Sequence, residues 1–269
     1  MRGVSATSRA QVLDTVGGAT ADGAQGVAVG TELFAVVGAL DSNPVLRRVL
    51  SDPATEADAK AGLVGTLFGD KIGAGALDVV GAAARGRWSA GRDLADALEQ
   101  AGVQAVLSAA DSAGSLATVA DTLFAFTRVV TGNPELRQTL SDRSASVEGR
   151  QELVSRLLGD HADEVSLALA RQAVASRGRS YETAIVDYAQ DAIVREGRLQ
   201  ARVVAAYALD DDEKQRLAGA LARKYGRDVH VDVTVDPDVI GGISVEIAGE
   251  RIDSTVSTRL ADARRALAG

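Results

Sequence analysis

His161 and His230 are the only imidazoles in the chain, and there is no cysteine. Neither histidine stands in a Glu-x-x-His pattern or beside other strong ligands, whereas a metal site needs several convergent donors. Both therefore read as surface or structural groups, and no metal is assigned. Without thiols, disulfides, thiolate catalysis and cysteine zinc sites are excluded. The serines offer no hydrolase nucleophile either, because the Gly-x-Ser-x-Gly elbow is absent. The stretch Gly69 to Gly81 contains Gly73-Ala74-Gly75 but has neither a preceding strand nor a Gly-Lys-Ser/Thr triplet, so it reads as a loop entering a helix and not as a phosphate cradle. Asp210-Asp211-Asp212-Glu213 could hold a cation, yet adjacent acids at a helix start more commonly cap it and complement its dipole. No calcium, no cofactor and no catalytic residue is assigned.

What remains is a set of residues suited to contact. Trp88, in Arg85-Gly86-Arg87-Trp88, is the only tryptophan. It reads either as an interface anchor, since Trp and Arg are enriched at hot spots, or as core. Arg171, Arg177 and Arg179 form a basic cluster that could meet an acidic partner, although a solvated helix end is the commoner meaning of such a run. The net charge of −8 excludes a nucleic-acid partner, because phosphate binding depends on clustered Lys and Arg. No segment has the roughly 18 apolar residues of a membrane span, and the start has no apolar signal core. Any membrane association is expected to come through a partner, and a cytoplasmic setting is expected from the absence of cysteine.

The elements that position these residues follow from composition and repetition. Hydrophobic residues make up 46% and aromatics only 3%, so Leu, Val and Ala must fill the core, which favours closely packed helices. Thr31-Glu32-Leu33-Phe34-Ala35 recurs as Asp121-Thr122-Leu123-Phe124-Ala125, and Asn43-Pro44-Val45-Leu46-Arg47 as Asn133-Pro134-Glu135-Leu136-Arg137. Leu50-Ser51-Asp52 answers to Leu140-Ser141-Asp142, Leu63-Val64 to Leu153-Val154, and Gly69-Asp70 to Gly159-Asp160. Arg85-Gly86-Arg87 then meets Arg177-Gly178-Arg179 with a shift of two. A single offset over so many segments indicates duplication, roughly 29–87 against 119–179.

Each copy reads as several short helices. Leu123, Phe126 and Val130 share one face, Gly132-Asn133-Pro134 breaks that helix, and Pro134 suits the first turn of the next. Ser144 or Ser146 caps a run to Leu158, where Gly159 supplies a left-handed stop, and helices follow over 163–176 and 181–194. One more short helix lies at about 6–16, and the segment 89–110 joins the copies, helical for most of its length.

Composition changes after Arg198. Leu199 to Leu209, the alternating run 228–235, and Ile243, Val245 and Ile247 read as strands. A helix with Leu217, Leu221 and Tyr225 on one face links the first two. Ala248-Gly249-Glu250-Arg251 turns the chain into a return strand from Ile252, and Val256, Leu260, Ala263 and Leu267 form a closing helical stripe. The expected class is α+β, with an additional helical module at 1–110, a second at 111–198 and a small α/β domain at 199–269.

The segment from Val235 to Ile247, Val-Asp-Pro-Asp-Val-Ile-Gly-Gly-Ile-Ser-Val-Glu-Ile, followed by Gly249-Glu250-Arg251-Ile252-Asp253-Ser254, resembles the C-terminal signature of the ATP synthase delta subunit family, which includes the oligomycin-sensitivity-conferring protein. Asp236, Pro237, Ile240, Gly241, Gly242, Gly249, Ile252 and Asp253 carry that resemblance in structural roles. Asp236-Pro237-Asp238 makes a tight turn, and the paired glycines suggest a bulge or close backbone approach. Gly242 is expected to resist replacement by Val because a branched side chain would crowd the turn. The run 211–229 and Asn133-Pro134-Glu135-Leu136-Arg137 are also similar to the family. Its members mostly have one six-helix bundle, whereas a duplicated set sharing the connector 89–110 resembles actinobacterial forms.

The resemblance implies a non-catalytic stator subunit of the rotary proton-translocating enzyme, a peripheral component on the cytoplasmic face of the cell membrane within a hetero-oligomer. It implies that the helical part binds N-terminal segments of alpha subunits and that the C-terminal part receives the end of the peripheral-stalk b subunit. Trp88, Leu217, Leu221 and Leu260 are the residues expected at such interfaces. The duplication alone also suits a free-standing helical-repeat adaptor.

Overall fold

The computed structural model describes residues 3–21, 23–197, 199–226, 228–237, 239, 242–247 and 250–253, with the backbone alone at 160 and 250–253. The chain divides into two compact units, residues 1–188 and residues 189–269. The expected division into three parts differs from this arrangement, because the first copy and the second as far as Tyr188 lie in one unit, whose limit falls ten residues before 198.

The first copy comprises α1 (Val4–Ala19), α2 (Gly26–Ser42), α3 (Pro44–Ser51), α4 (Ala57–Phe68), α5 (Ala74–Arg85) and α6 (Gly91–Ser112). The second continues with α7 (Leu116–Gly132), α8 (Pro134–Ser141), α9 (Val147–Leu158), α10 (Glu164–Val174) and α11 (Tyr181–Arg195). Adding 90 to the limits of α2, α3 and α4 gives those of α7, α8 and α9, and adding it to the start of α6 gives the start of α11. The segment corresponding to α1 is 94–109, inside α6. Helix α6 is therefore the last helix of one copy and the first of the next, which is why no boundary separates the copies.

Local chemistry repeats with the backbone. Asn43 Oδ1 accepts the Leu46 N–H at 3.1 Å, and Asn133 Oδ1 accepts that of Leu136 at 3.1 Å. In both cases proline occupies the first turn, where a missing N–H costs nothing. After each short helix an aspartate folds the chain back, Asp52 accepting Ala54 N–H and Asp142 accepting Ser144 N–H, both at 2.9 Å. Ser146, not Ser144, caps α9. Gly159 has φ 49° but ψ −137°, so it ends α9 in a glycine conformation other than the expected left-handed helical one. Leu50 and Leu140, and Val64 and Val154, are buried at corresponding positions.

Helices α2 and α6 approach through glycines. A Cβ on Gly30 would lie 2.7 Å from the Gly102 carbonyl oxygen and would also strike Val106, and one on Gly102 would strike Phe34. Around this contact Val29, Leu33, Leu40, Val79, Leu94 and Leu98 form part of the first copy's core.

In the second unit β1 (Leu199–Ala205), α12 (Asp211–Tyr225), β2 (Val229–Val235), β3 (Ile243–Ile247) and β4 (Glu250–Asp253) build a sheet of order β2-β1-β3-β4. β1 and β2 are parallel, as the intervening helix requires, and β1–β3 and β3–β4 are antiparallel. The α+β class is as expected. The apolar face of α12 packs on the sheet, where Leu221 is buried with Ala201, Val203, Val229, Val245 and Ile247.

Candidate partner-binding residues

The register of the second unit gathers distant signature residues at one end of its sheet. Ala205 pairs with Val235 and with Ile243, while Ser244 pairs with Asp253. The residues after β2, before β3 and at the end of β4 therefore lie together. Asp236 extends the β1–β2 ladder by donating its N–H to Ala205 O at 2.9 Å, and its own carbonyl accepts the Val239 N–H at 3.1 Å. That is the expected tight turn, with Pro237 exposed. Gly242 has φ 81° and is exposed. This backbone conformation is strained for any side chain, which adds a second cause to the resistance expected there from crowding. Ile252 pairs with Val245 in the β3–β4 ladder. Ile240, Gly241, Gly249 and Leu260 lie outside the described residues, as does the closing stripe.

The acidic run before α12 is a cap. Asp210 Oδ1 accepts the Glu213 N–H at 2.7 Å and Glu213 Oε2 accepts the Asp210 N–H at 3.0 Å, a reciprocal capping box. Glu213 also accepts the Tyr207 hydroxyl at 3.2 Å, leaving Tyr207 as a large exposed side chain beyond β1. His161 is exposed and His230 buried in β2.

Three of the expected interface residues face inward. Trp88 is 5% exposed and donates its indole N–H to Ala83 O at 2.8 Å, so the core alternative is the one realised. Leu221 is buried and Leu217 packs against the same sheet core. A regular apolar spacing marks the buried face of a helix before it marks a docking face, and in α12 the sheet takes that face.

The basic cluster also departs from the solvated helix end expected of it. Arg177 pairs with Asp41 at 3.0 Å, Asp96 at 2.6 Å and Glu99 at 3.3 Å. Arg179 pairs with Glu99 and Asp187, each at 2.7 Å, and its guanidinium lies 5.6 Å from the Tyr188 ring centroid. The Tyr188 hydroxyl donates to Glu99 at 2.8 Å. Burial and the neighbouring Glu99 carboxylate hold Tyr188 well above its ordinary pKa. For Arg177 burial acts against the charge, but Asp96, Asp41 and Glu99 outweigh it and raise the pKa. The network joins α2, the shared α6 and the turn into α11. Arg171 stays apart and exposed.

The signal for this hub was present in the sequence. Glu99 interrupts an otherwise apolar face of α6 between Leu98 and Ala101, all buried, and a buried acid demands a cation. A second such signal is the pair Lys60 and Arg150, one offset apart and both buried.

Residues 103–267 match the family model described as ATP synthase delta (OSCP) subunit. The chain belongs to that family. The match begins inside α6, so the delta family model spans the second copy and the α/β unit. Relatives extend over the first copy as well. The chain is 40% identical to the "ATP synthase subunit delta" of Thermobifida fusca over 270 residues, covering 100% of both chains. It is 47% identical to that of Acidothermus cellulolyticus, covering 89% of this chain and 88% of the relative. It is 46% identical to that of Streptomyces avermitilis, covering 90% and 89%. Among the described residues no helix of this delta family member is long and apolar enough to cross a membrane.

Proposed function

We propose that this chain is a non-catalytic stator subunit of the rotary proton-translocating ATP synthase. The observation that carries this reading is the delta family match over 103–267, which takes in a helical copy and the separate α/β unit together. The helical unit binds N-terminal segments of alpha subunits, and the C-terminal unit receives the end of the peripheral-stalk b subunit. The subunit sits peripherally on the cytoplasmic face of the membrane through that complex. Its work is mechanical, since torque from the rotor must be resisted at two separated surfaces.

Helix-in-groove docking suits both joints, because an amphipathic helix gains about 25 cal/mol per Å² of apolar area buried before ordering costs. The inward placement of Trp88, Leu217 and Leu221 leaves these joints to other side chains, and the exposed Tyr207 beside the signature end of the sheet is one that supports docking there. ATP-driven proton pumping by membranes depleted of the subunit tests the assignment. Loss of coupled pumping, reversed by adding the chain back, is expected. Unchanged coupling and unchanged retention of the catalytic head after depletion would sink it.

A further inference from the structure

A half-open cavity of about 250 Å³ lies between the ends of α8 and α10 and the turn into α11. Its polar lining includes Arg143, Arg150, Arg179, Ser141, Ser180 and Tyr181, with no carboxylate among the lining residues. Arg179 is already neutralised by Glu99 and Asp187. Arg150 is not. Its guanidinium, in a side chain 7% exposed, donates to Leu140 O at 3.0 Å and Val174 O at 3.4 Å. The Asp142 carboxylate accepts the Ser144 N–H and hydroxyl and stays ionised, these bonds and, more weakly, the charge of Arg150 lowering its pKa. Arg143 stands exposed at the rim.

Two further groups lack partners among the described residues, Arg150 Nε and the hydroxyl of Tyr181, which is 3% exposed. Buried donors left unpaired cost about 1–3 kcal/mol each, and both of these belong to residues that line the cavity. The first copy handles the corresponding place differently. Trp88 is buried against Ala83, whereas Ala173, which is 83 plus 90, borders open space.

We propose that this cavity binds a free oxyanion of the phosphate class. Arginine forks match such oxygens bidentately, and no carboxylate lines the cavity to compete for them. Nothing in the stator assignment requires this ligand.

The test is amide NMR on the full-length protein, titrated with inorganic phosphate at constant ionic strength with chloride as the balancing anion. Saturable shifts confined to residues 141–143, 150 and 176–181 are expected in the millimolar range. Arg143→Ala should weaken binding about tenfold through loss of one charge-assisted contact. Tyr181→Phe should weaken it about threefold while leaving the phosphate-free melting temperature unchanged or higher, because an unpaired buried hydroxyl has been removed. Shifts that chloride reproduces, or parental affinity in both variants, overturn the proposal.

Discussion

The two helical copies share a backbone and differ at their joints. In the first, the turn between α5 and α6 is held by hydroxyls and by Lys60, which donates to Gly86 O at 3.2 Å. Ser8 Oγ accepts the Arg87 N–H at 2.9 Å and donates to Arg87 O at 2.8 Å, and Ser5 Oγ accepts the Ser89 N–H at 2.8 Å. In the second, the turn between α10 and α11 is held by charge, with Glu99 receiving Arg177, Arg179 and Tyr188. The capping asparagines and core leucines are the same in both. Duplication fixed where helices start, stop and bury, since those features depend on local backbone chemistry. The polar joints diverged, because any group that satisfies the buried donors of a turn is acceptable there.

If that division is right, the joints should differ most in the cost of breaking them. Glu99→Gln removes the charge that three neighbours share in a side chain 7% exposed, and leaves Arg177 and Arg179 undercompensated. A loss of about 3–5 kcal/mol is expected in urea unfolding. Ser8→Ala, which removes neutral hydrogen bonds only, should cost about 1–2 kcal/mol. Equal costs, or the reverse order, would mean that the charged hub is no stronger a joint than the serine pair.

A smaller effect tests the helix packing. Gly30 corresponds to Ala120, 90 residues on, so the first copy carries one methyl group fewer where α2 meets α6. Gly30→Ala gains helix propensity of about 1 kcal/mol yet pushes a Cβ against Gly102 O and Val106, and a net loss of about 1–3 kcal/mol is expected from overpacking. Ala120→Gly should lose the propensity term and the packing of one fully buried methyl group, about 1–2 kcal/mol together. A stabilised Gly30→Ala protein would show slack between α2 and α6 and remove the contrast.

These contrasts also mark what was legible beforehand. Asn43-Pro44 and Asn133-Pro134 declared their turns because a cap and its proline act within four residues. β2 and β3 declared themselves by alternation, β1 by a Val- and Ala-rich run without helical stop signals, and the signature turn at Asp236 by its proline. The partners of Arg177 did not, since Asp41 and Asp96 lie 136 and 81 residues away and only packing brings them together. Leu217 and Leu221 were legible as a face but not as to what covers it. The limit of the first compact unit falls inside α11, where composition does not change and only the density of contacts does.

The smallest expected effect concerns the buried cations that the copies retain in different chemistry. Lys60 is 3% exposed and donates to Gly86 O at 3.2 Å. Burial lowers its pKa below the ordinary 10.5, with Asp52 opposing that shift. Between the lowered folded value and 10.5 the unfolded chain binds more protons, so this group makes stability rise with pH through that window, the cost of burying its charge being fully present at neutral pH. Tyr181 and Tyr188, raised chiefly by burial, act oppositely. Their contribution is present below about pH 10 and lost as pH climbs above it. Lys60→Met deletes one hydrogen bond and one buried charge, terms of opposite sign, so at pH 7 a change within about 1 kcal/mol is expected. Urea midpoints measured from about pH 8 to 11 should then fall more steeply in the variant than in the parent, because only the tyrosine effect remains. Parallel profiles would show that Lys60 keeps its proton in the folded protein across this range.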